Sequence, residues 1–223
     1  MAQLMQRQTK PKAKVLVWGA GGHAKVVGET LRLMGGWEIF GFLDDISPER
    51  WGKQFCGSQI LGGSDILPPQ HTAGITNLAL GVGDCKARLG MAALCRRLGF
   101  SLVTAIHPRS TVSPEATVGE GTVIVAGAVV NPSAKLGCAV IVNTCASIDH
   151  DCTICDGVHV GPGAHLAGRV EVGECAWVGL GALVREGCRI GKGAYIGAGA
   201  VVLDDVPAGV LAYGVPAKVV RQL

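Results

Sequence analysis

Counting in sixes from Val112 to Val202, sixteen consecutive positions hold Val, Ile or Leu, beginning Val112, Val118, Ile124, Val130 and ending Val184, Ile190, Ile196, Val202. Four residues after each stands a small or β-branched residue, from Ala116, Thr122 and Ala128 through Cys152 and Cys188 to Ala200 and Val206. An unbroken register at two linked positions is the signature of a solenoid whose unit is six residues. Each unit forms one flat side of a coil, with the large and small residues pointing inward. Three sides make an 18-residue turn, so residues 18 apart stack at about the 4.7–4.9 Å spacing of paired strands. Glycine often follows the large position (Gly119, Gly137, Gly161, Gly173, Gly179, Gly191, Gly197), where a sharp corner favours it.

Composition agrees with narrow, tightly turned coils: aromatic residues make up 4% of the 223 residues, and there are 34 glycines. The net charge of +3 is small, and much of it comes from the stretch "QRQTKPKAK" at 6–14. That stretch reads as a mobile basic tail rather than a nucleic-acid patch. No run of 18 apolar residues exists and no signal-type apolar core opens the chain, which points to a cytoplasmic protein without a membrane partner. Nine cysteines, an odd number without framework spacing, read as reduced thiols.

The first half has a different texture. "KVLVWGAGGHAKVVGETLRLMGG" opens with an apolar strand from Val15 to Trp18, then a glycine turn, then a helix carried by Val26, Val27, Leu31 and Met34. A second strand, "WEIFGFLDD", ends on Asp44 and Asp45, so Gly19-x-Gly21-x-x-Ala24 sits in the context of a nucleotide-binding turn. "ITNLALGVGD" supplies a later parallel strand whose end, near Gly83, faces the same crevice, and "KARLGMAALCRRLG" another helix. A unit of about 90 residues leaves little space for both mononucleotide halves of a dinucleotide fold. A mononucleotide or nucleotide-sugar site fits better than NAD, and a purely structural glycine turn is the remaining alternative. The division is then 1–14 tail, 15–104 Rossmann-like α/β domain, 105–210 β-helix and 211–223 C-terminal segment, with "IHPRSTVSPEATVG" at the join.

Half of the six histidines lie in "SIDHDCTICDGVHVGPGAHLAG", residues 147–168. On the six-residue grid His150, His159 and His165 all avoid the inward positions, so none belongs in the prism core. His150 and His159 differ by nine residues, half a coil, and lie on different sides of one prism. Zinc needs its nitrogens at about 2.0–2.1 Å, so one chain cannot bind it with this pair. Cys152 takes an inward position, which makes Cys152-x-x-Cys155 packing rather than a redox or metal motif. Gly168 follows His150 by 18 residues and stacks on it, leaving its backbone N–H as a donor for a developing oxyanion.

"GAGGHAKVV", "GFLDD", "GVGDCKARLG", "IHPRSTVSPEATVG", "DHDCTICDGVHVGPGAHLAGRVEVGE" and "GVPAK" occur in an order that resembles the bacterial sugar acyltransferases. That family contains sialic acid O-acetyltransferases and N-acetyltransferases of nucleotide-linked 4-amino sugars. "ICDG" departs from the commoner Ile-Gly-Asp, and Asp151 stands where some relatives carry Glu. The resemblance implies a left-handed β-helix, against the general right-handed preference of crossovers, and a homotrimer with active sites between prisms. It implies acetyl-CoA as co-substrate, no metal, and transfer to the amino group of a nucleotide-linked 4-amino-4,6-dideoxy sugar. His150 would be the general base, with Asp151 raising its basicity and Gly168 the oxyanion donor. His159, Leu180 and Ala198 would contact the cofactor, while Gly21, Gly22, His23, Asp44, Asp45 and Gly83 would hold the nucleotide sugar. Sialic acid O-acetylation, an interfacial-zinc hydratase and a non-catalytic sugar-nucleotide module are the competing readings. His165 has no role the resemblance names.

Overall fold

A computed structural model describes residues 12–223. The proposed tail at 1–14 lies mostly outside them, and its last two residues, Ala13 and Lys14, already belong to the first strand. The N-terminal part is a six-stranded sheet in the order β3-β4-β2-β1-β5-β6. Its strands are β1 (Ala13–Trp18), β2 (Trp37–Leu43), β3 (Gln54–Phe55), β4 (Ser58–Gly62), β5 (Asn77–Leu80) and β6 (Ser101–Leu102). Helix α1 (Gly22–Met34) links β1 to β2, α2 (Leu67–Thr72) precedes β5, and α3 (Cys85–Arg97) links β5 to β6. All pairs but β3–β4 are parallel, so the turns after β1, β2 and β5 open at one edge, as a doubly wound sheet requires.

From Ala105 the chain winds as a triangular prism of two-residue strands, one per six residues, each paired in parallel with the strand 18 residues on. The repeat residues line its interior, where Ile124, Val142, Ile148, Val160 and Val178 are among the fully buried. Burying such a side chain contributes roughly 1.5–3 kcal/mol, and the register presents one large and one small residue per side throughout. The last coil continues into Val210–Gly214, which pairs in parallel with Tyr195–Ile196 and antiparallel with Ala217–Gln222. The division at 210 therefore falls inside a strand, because backbone pairing there outlasts the six-residue pattern.

The glycines act differently from the corner role read from sequence. Left-handed backbone falls three residues after each large position from Val118 to Ile196, at Gly121, Gly127, Gly157, Gly163 and their successors, and at Ser133, Ala139, Cys145, Asp151, Arg169 and Cys175 where glycine is absent. The glycines directly after the large positions are needed for close approach between coils. A Cβ on Gly161 would stand 2.8 Å from the Val178 carbonyl oxygen and 2.9 Å from the Leu180 nitrogen.

The three sides differ in what covers them. One, carrying Val123, Ile141, His159 and Trp177 outward, packs its first coils against the α/β domain, where Val123 and Ile141 join the core of β1 and α1. The second presents Thr111, Val129, Ser147, His165, Leu183 and Val201, with no lysine, arginine or carboxylate among these outward positions. The third presents Lys135, Glu171 and Arg189 among threonines, with Arg189 paired to Glu171 at 3.2 Å. We call these the docked, bare and charged faces.

Replacing Gly161 by Ala should cost roughly 1–3 kcal/mol through overpacking. Gly163→Asn, at φ +61 with nothing within 4 Å of its Cβ, should cost no more than about 1 kcal/mol. Urea denaturation of both variants checks this, and the reverse order would contradict it.

Candidate active site

His150 stands on the corner between the bare and charged faces, in the turn between Ser147–Ile148 and Thr153–Ile154. Neighbours along a strand point to opposite faces, but Asp151 is left-handed at φ +58. That turn brings its carboxylate to the same side, and His150 Nδ1 meets Asp151 Oδ2 at 2.8 Å. The bond places the ring proton on Nδ1 and leaves Nε2 as the free, basic nitrogen. The Asp151 hydrogen bond, assisted by the charge of Asp149, raises the His150 pKa above its ordinary 6.5. Asp149 Oδ1 also accepts from the His150 backbone N–H at 2.8 Å and from Asn131 Nδ2, one coil earlier, at 2.9 Å. Sequence reasoning missed Asp149 and Asn131. The 18-residue interval between them was the available signal.

Gly168 lies against this imidazole. A Cβ there would be 2.6 Å from His150 Cε1 and Nε2, so only glycine admits the ring in this pose. Its backbone N–H donates to no backbone or side-chain acceptor among the described residues, unlike that of Arg169, which bonds the His150 carbonyl at 2.9 Å.

The second candidate region is a cleft of about 330 Å³ at the edge of the α/β domain, lined by Gly21, Gly22, His23, Asp44, Asp45, Arg50 and Gly83 among others. Gly19 is left-handed, and a Cβ on it would meet the Gly81 carbonyl at 2.6 Å, whereas Gly21 and Gly22 have open space where a Cβ would be. No side chain caps α1, so its positive end and free N–H groups face the cleft, an arrangement suited to phosphate. The two aspartates are less available than their sequence position implies. Asp44 Oδ1 accepts from the backbone of Ile46 and Ser47, and Asp44 Oδ2 pairs with Arg50 Nη1 at 3.0 Å. Asp45 accepts from Trp18 Nε1 and the Ser64 N–H, both at 2.6 Å. Both carboxylates shape the loop after β2, and Arg50 is the cation at the cleft, a residue with no sequence motif to announce it.

The prism grid turns His159 outward, but the α/β domain covers that side, so it is buried. Its Nδ1 stands 3.3 Å from the Gly83 carbonyl and its Nε2 3.1 Å from Asn143 Nδ2. Its ring centroid is 4.0 Å from that of Trp177 and 6.4 Å from that of His23. Burial holds the pKa of His159 down at about 4 and that of His23 at about 3. The carbonyl partner makes Nδ1 the protonated nitrogen of His159, so Nε2 accepts from Asn143. Leu180 and Ala198 are exposed on the corner between docked and bare faces, stacked 18 residues apart. His165 projects from the bare face, with its Nδ1 2.8 Å from Ser147 Oγ.

The structure thus joins His150, Asp151 and Gly168 in one cluster, and Gly21, Gly22, His23, Asp44, Asp45 and Gly83 in another. It does not join the clusters. The α/β domain sits on the docked face, and His150 occupies the one prism corner that does not border that face. All nine cysteines are free, and Cys152 is buried in the prism core. Among the described residues no three His, Cys, Asp or Glu side chains gather to hold a metal ion, and no helix is long and apolar enough to cross a membrane.

A nucleotide-type cleft fused to a six-residue-repeat prism with a carboxylate-supported histidine defines a hexapeptide-repeat acyltransferase with its own nucleotide-binding domain. Comparison with known proteins agrees. Residues 14–93 match the PglD N-terminal domain family. The acetyltransferase domain of PglB from Neisseria gonorrhoeae FA1090, also solved with acetyl coenzyme A, is 39% identical, covering 94% of this chain and 100% of that one with a TM-score of 0.89. PerB from Caulobacter crescentus, solved with CoA and GDP-perosamine, is 41% identical, covering 93% and 97% with a TM-score of 0.88. The UDP-N-acetylbacillosamine N-acetyltransferase of Bacillus subtilis (strain 168) is 35% identical over 122 residues, 50% of this chain and 51% of its own length. The chain thus spans about half the length of that curated relative. The chain belongs to this family of hexapeptide-repeat sugar N-acetyltransferases with a PglD N-terminal domain, and its prism is the family's left-handed β-helix.

Replacing Asp151 with Asn removes the carboxylate that holds the His150 proton on Nδ1, so the raised His150 pKa should fall. An NMR titration of the imidazole measures this, and an unchanged midpoint would contradict the bond.

Proposed function

We propose that the protein transfers the acetyl group of acetyl-CoA to the 4-amino group of a nucleotide-linked 4-amino-4,6-dideoxy sugar, in the cytoplasm, for surface-glycan synthesis. The observation that carries the reading is the His150–Asp151 pair beneath the unengaged Gly168 N–H. One side supplies a proton acceptor with a free Nε2, the other a donor for the oxyanion.

In this proposal the amine nitrogen attacks the thioester carbonyl carbon directly, with no acyl-enzyme. His150 Nε2 takes the amine proton as the C–N bond forms. Negative charge collects on the carbonyl oxygen near Gly168 N–H. When the C–S bond breaks, the CoA sulfur leaves with the electron pair and receives a proton, leaving an amide on the sugar. Asp151 keeps the imidazole in the productive tautomer and stabilises the imidazolium that forms.

The nucleotide sugar would lie in the cleft, its phosphates at the N-terminus of α1 beside Arg50, with Gly21, Gly22, His23 and Gly83 in contact and Asp44 and Asp45 shaping the wall. The cofactor arm would run along the corner that carries Leu180 and Ala198. Cleft and base stand on opposite parts of one chain, so we place the working site between copies. The bare face lacks lysine, arginine and carboxylates at its outward strand positions and is flanked by exactly the two corners in question: Leu180 and Ala198 on one, His150 on the other. Three copies closing a ring through it would bring one chain's His150 to its neighbour's cofactor corner and cleft. His159, buried under the α/β domain, would act by holding Asn143 at that corner. The relatives named for UDP- and GDP-linked amino sugars favour this acceptor class over sialic acid.

Release of CoA thiol from acetyl-CoA should follow addition of a UDP- or GDP-linked 4-amino sugar and not of free sialic acid. His150→Asn should still bind both substrates and lose roughly 10²–10⁴-fold in turnover. Near-wild-type turnover in that variant would remove His150 as the base, and turnover with sialic acid alone would move the protein to O-acetylation.

A further inference from the structure

Arg88 is the largest fully buried side chain, at 0% exposure. A buried cation ordinarily has a carboxylate partner, yet every acceptor on this guanidinium is a backbone carbonyl. Nε bonds Ala139 at 2.8 Å, Nη1 bonds Gly83 at 2.6 Å and Val82 at 3.2 Å, and Nη2 bonds Gly157 at 2.8 Å and Val158 at 3.2 Å. The first turn of α3, which carries Arg88, is capped by Asp84, whose Oδ1 accepts from the Ala87 N–H at 2.8 Å. The cap commits that aspartate to the helix.

The five carbonyls belong to two different parts of the molecule. Val82 and Gly83 form the loop that lines the nucleotide cleft, whereas Ala139, Gly157 and Val158 lie in successive coils of the prism, at the corner between charged and docked faces. One rigid, planar fork therefore fixes the cleft loop to the β-helix. The same Gly83 carbonyl meets His159 Nδ1, so the loop's position is passed on to Asn143 through His159.

We propose that Arg88 is the positioning residue for the nucleotide-linked acceptor: it holds the Val82–Gly83 loop against the prism and sets the cleft in register with the transfer site. The proposal rests on the acceptor-site reading above. Lysine at this position keeps the charge but carries three donors on a single nitrogen and cannot reproduce a planar fork that reaches five carbonyls.

In the full-length protein, Arg88→Lys should raise the KM for the UDP- or GDP-linked amino sugar roughly tenfold or more and leave the KM for acetyl-CoA within about twofold. A general loss of folding would move both. Gly157→Ala perturbs the same seam without touching the charge, since its Cβ would meet the Cys85 carbonyl at 3.3 Å and Leu89 Cβ at 3.5 Å. It should show the same selective rise, and it decides the matter if Arg88→Lys does not fold. Unchanged acceptor KM in the folded variants, or equal rises for both substrates, would overturn the positioning role. Calorimetry with UDP and GDP separates the two readings. Wild type binding neither would overturn the acceptor site and this inference together. Wild type and Arg88→Lys binding equally would overturn this inference alone.

Discussion

The 18-residue coil is the constraint on which the molecule depends. Because each coil hydrogen-bonds to the next in fixed register, a residue's place in its six-residue unit decides both its side of the prism and its vertical neighbours. Inward positions must be apolar and narrow, and the positions just after the large residue must often be glycine because the next coil's backbone passes within van der Waals contact. His150 below Gly168, Asn131 beside Asp149 and Leu180 below Ala198 are all consequences of that one spacing. The site is a column in a stack before it is a set of residues.

The same geometry divides the chemistry. A triangular prism has three corners, and a domain docked on one face borders only two of them. His150 stands on the third. A chain that carried out the whole reaction by itself would need its cleft and its histidine at one corner, and this chain separates them by the width of the bare face. In the proposed assembly, self-association through that face would restore the missing proximity, and would account for Val129, Leu183 and Val201 on it against the lysine, glutamate and arginine of the charged face.

Much of this was legible in the sequence because the relevant signals are periodic. The strand, glycine turn and helix of residues 15–34, the β-helix and the stacking of Gly168 on His150 follow from spacing alone. The local turn at Asp151 was not legible. Alternation along a strand left a bond to His150 possible only at a corner of the coil, and the left-handed backbone that permits it sets aspartate where other corners carry glycine. Burial of His159 was hidden for another reason: the grid describes the prism's interior, not what docks on its exterior. Arg88 reads in sequence as one more cation on an amphipathic helix, and three of its five carbonyl partners lie 51 to 70 residues away across a domain boundary. Asp44 and Asp45 line the cleft, but their hydrogen bonds to Ile46, Ser47, Trp18 and Ser64 depend on a loop without a pattern.

The central claim is that base and acceptor cleft of one working site come from different chains. Mixing two inactive proteins tests it most directly. One carries His150→Asn; the other carries Gly22→Trp, which fills the cleft from a position where a Cβ meets nothing within 4 Å. After dissociation and joint reassembly in equal amounts, about a quarter of the interfaces in a closed ring would pair an intact histidine with an intact cleft. The account predicts recovery of activity towards that fraction. Recovery absent from a mixture shown to contain mixed assemblies would contradict it, and would place the whole site within a single chain.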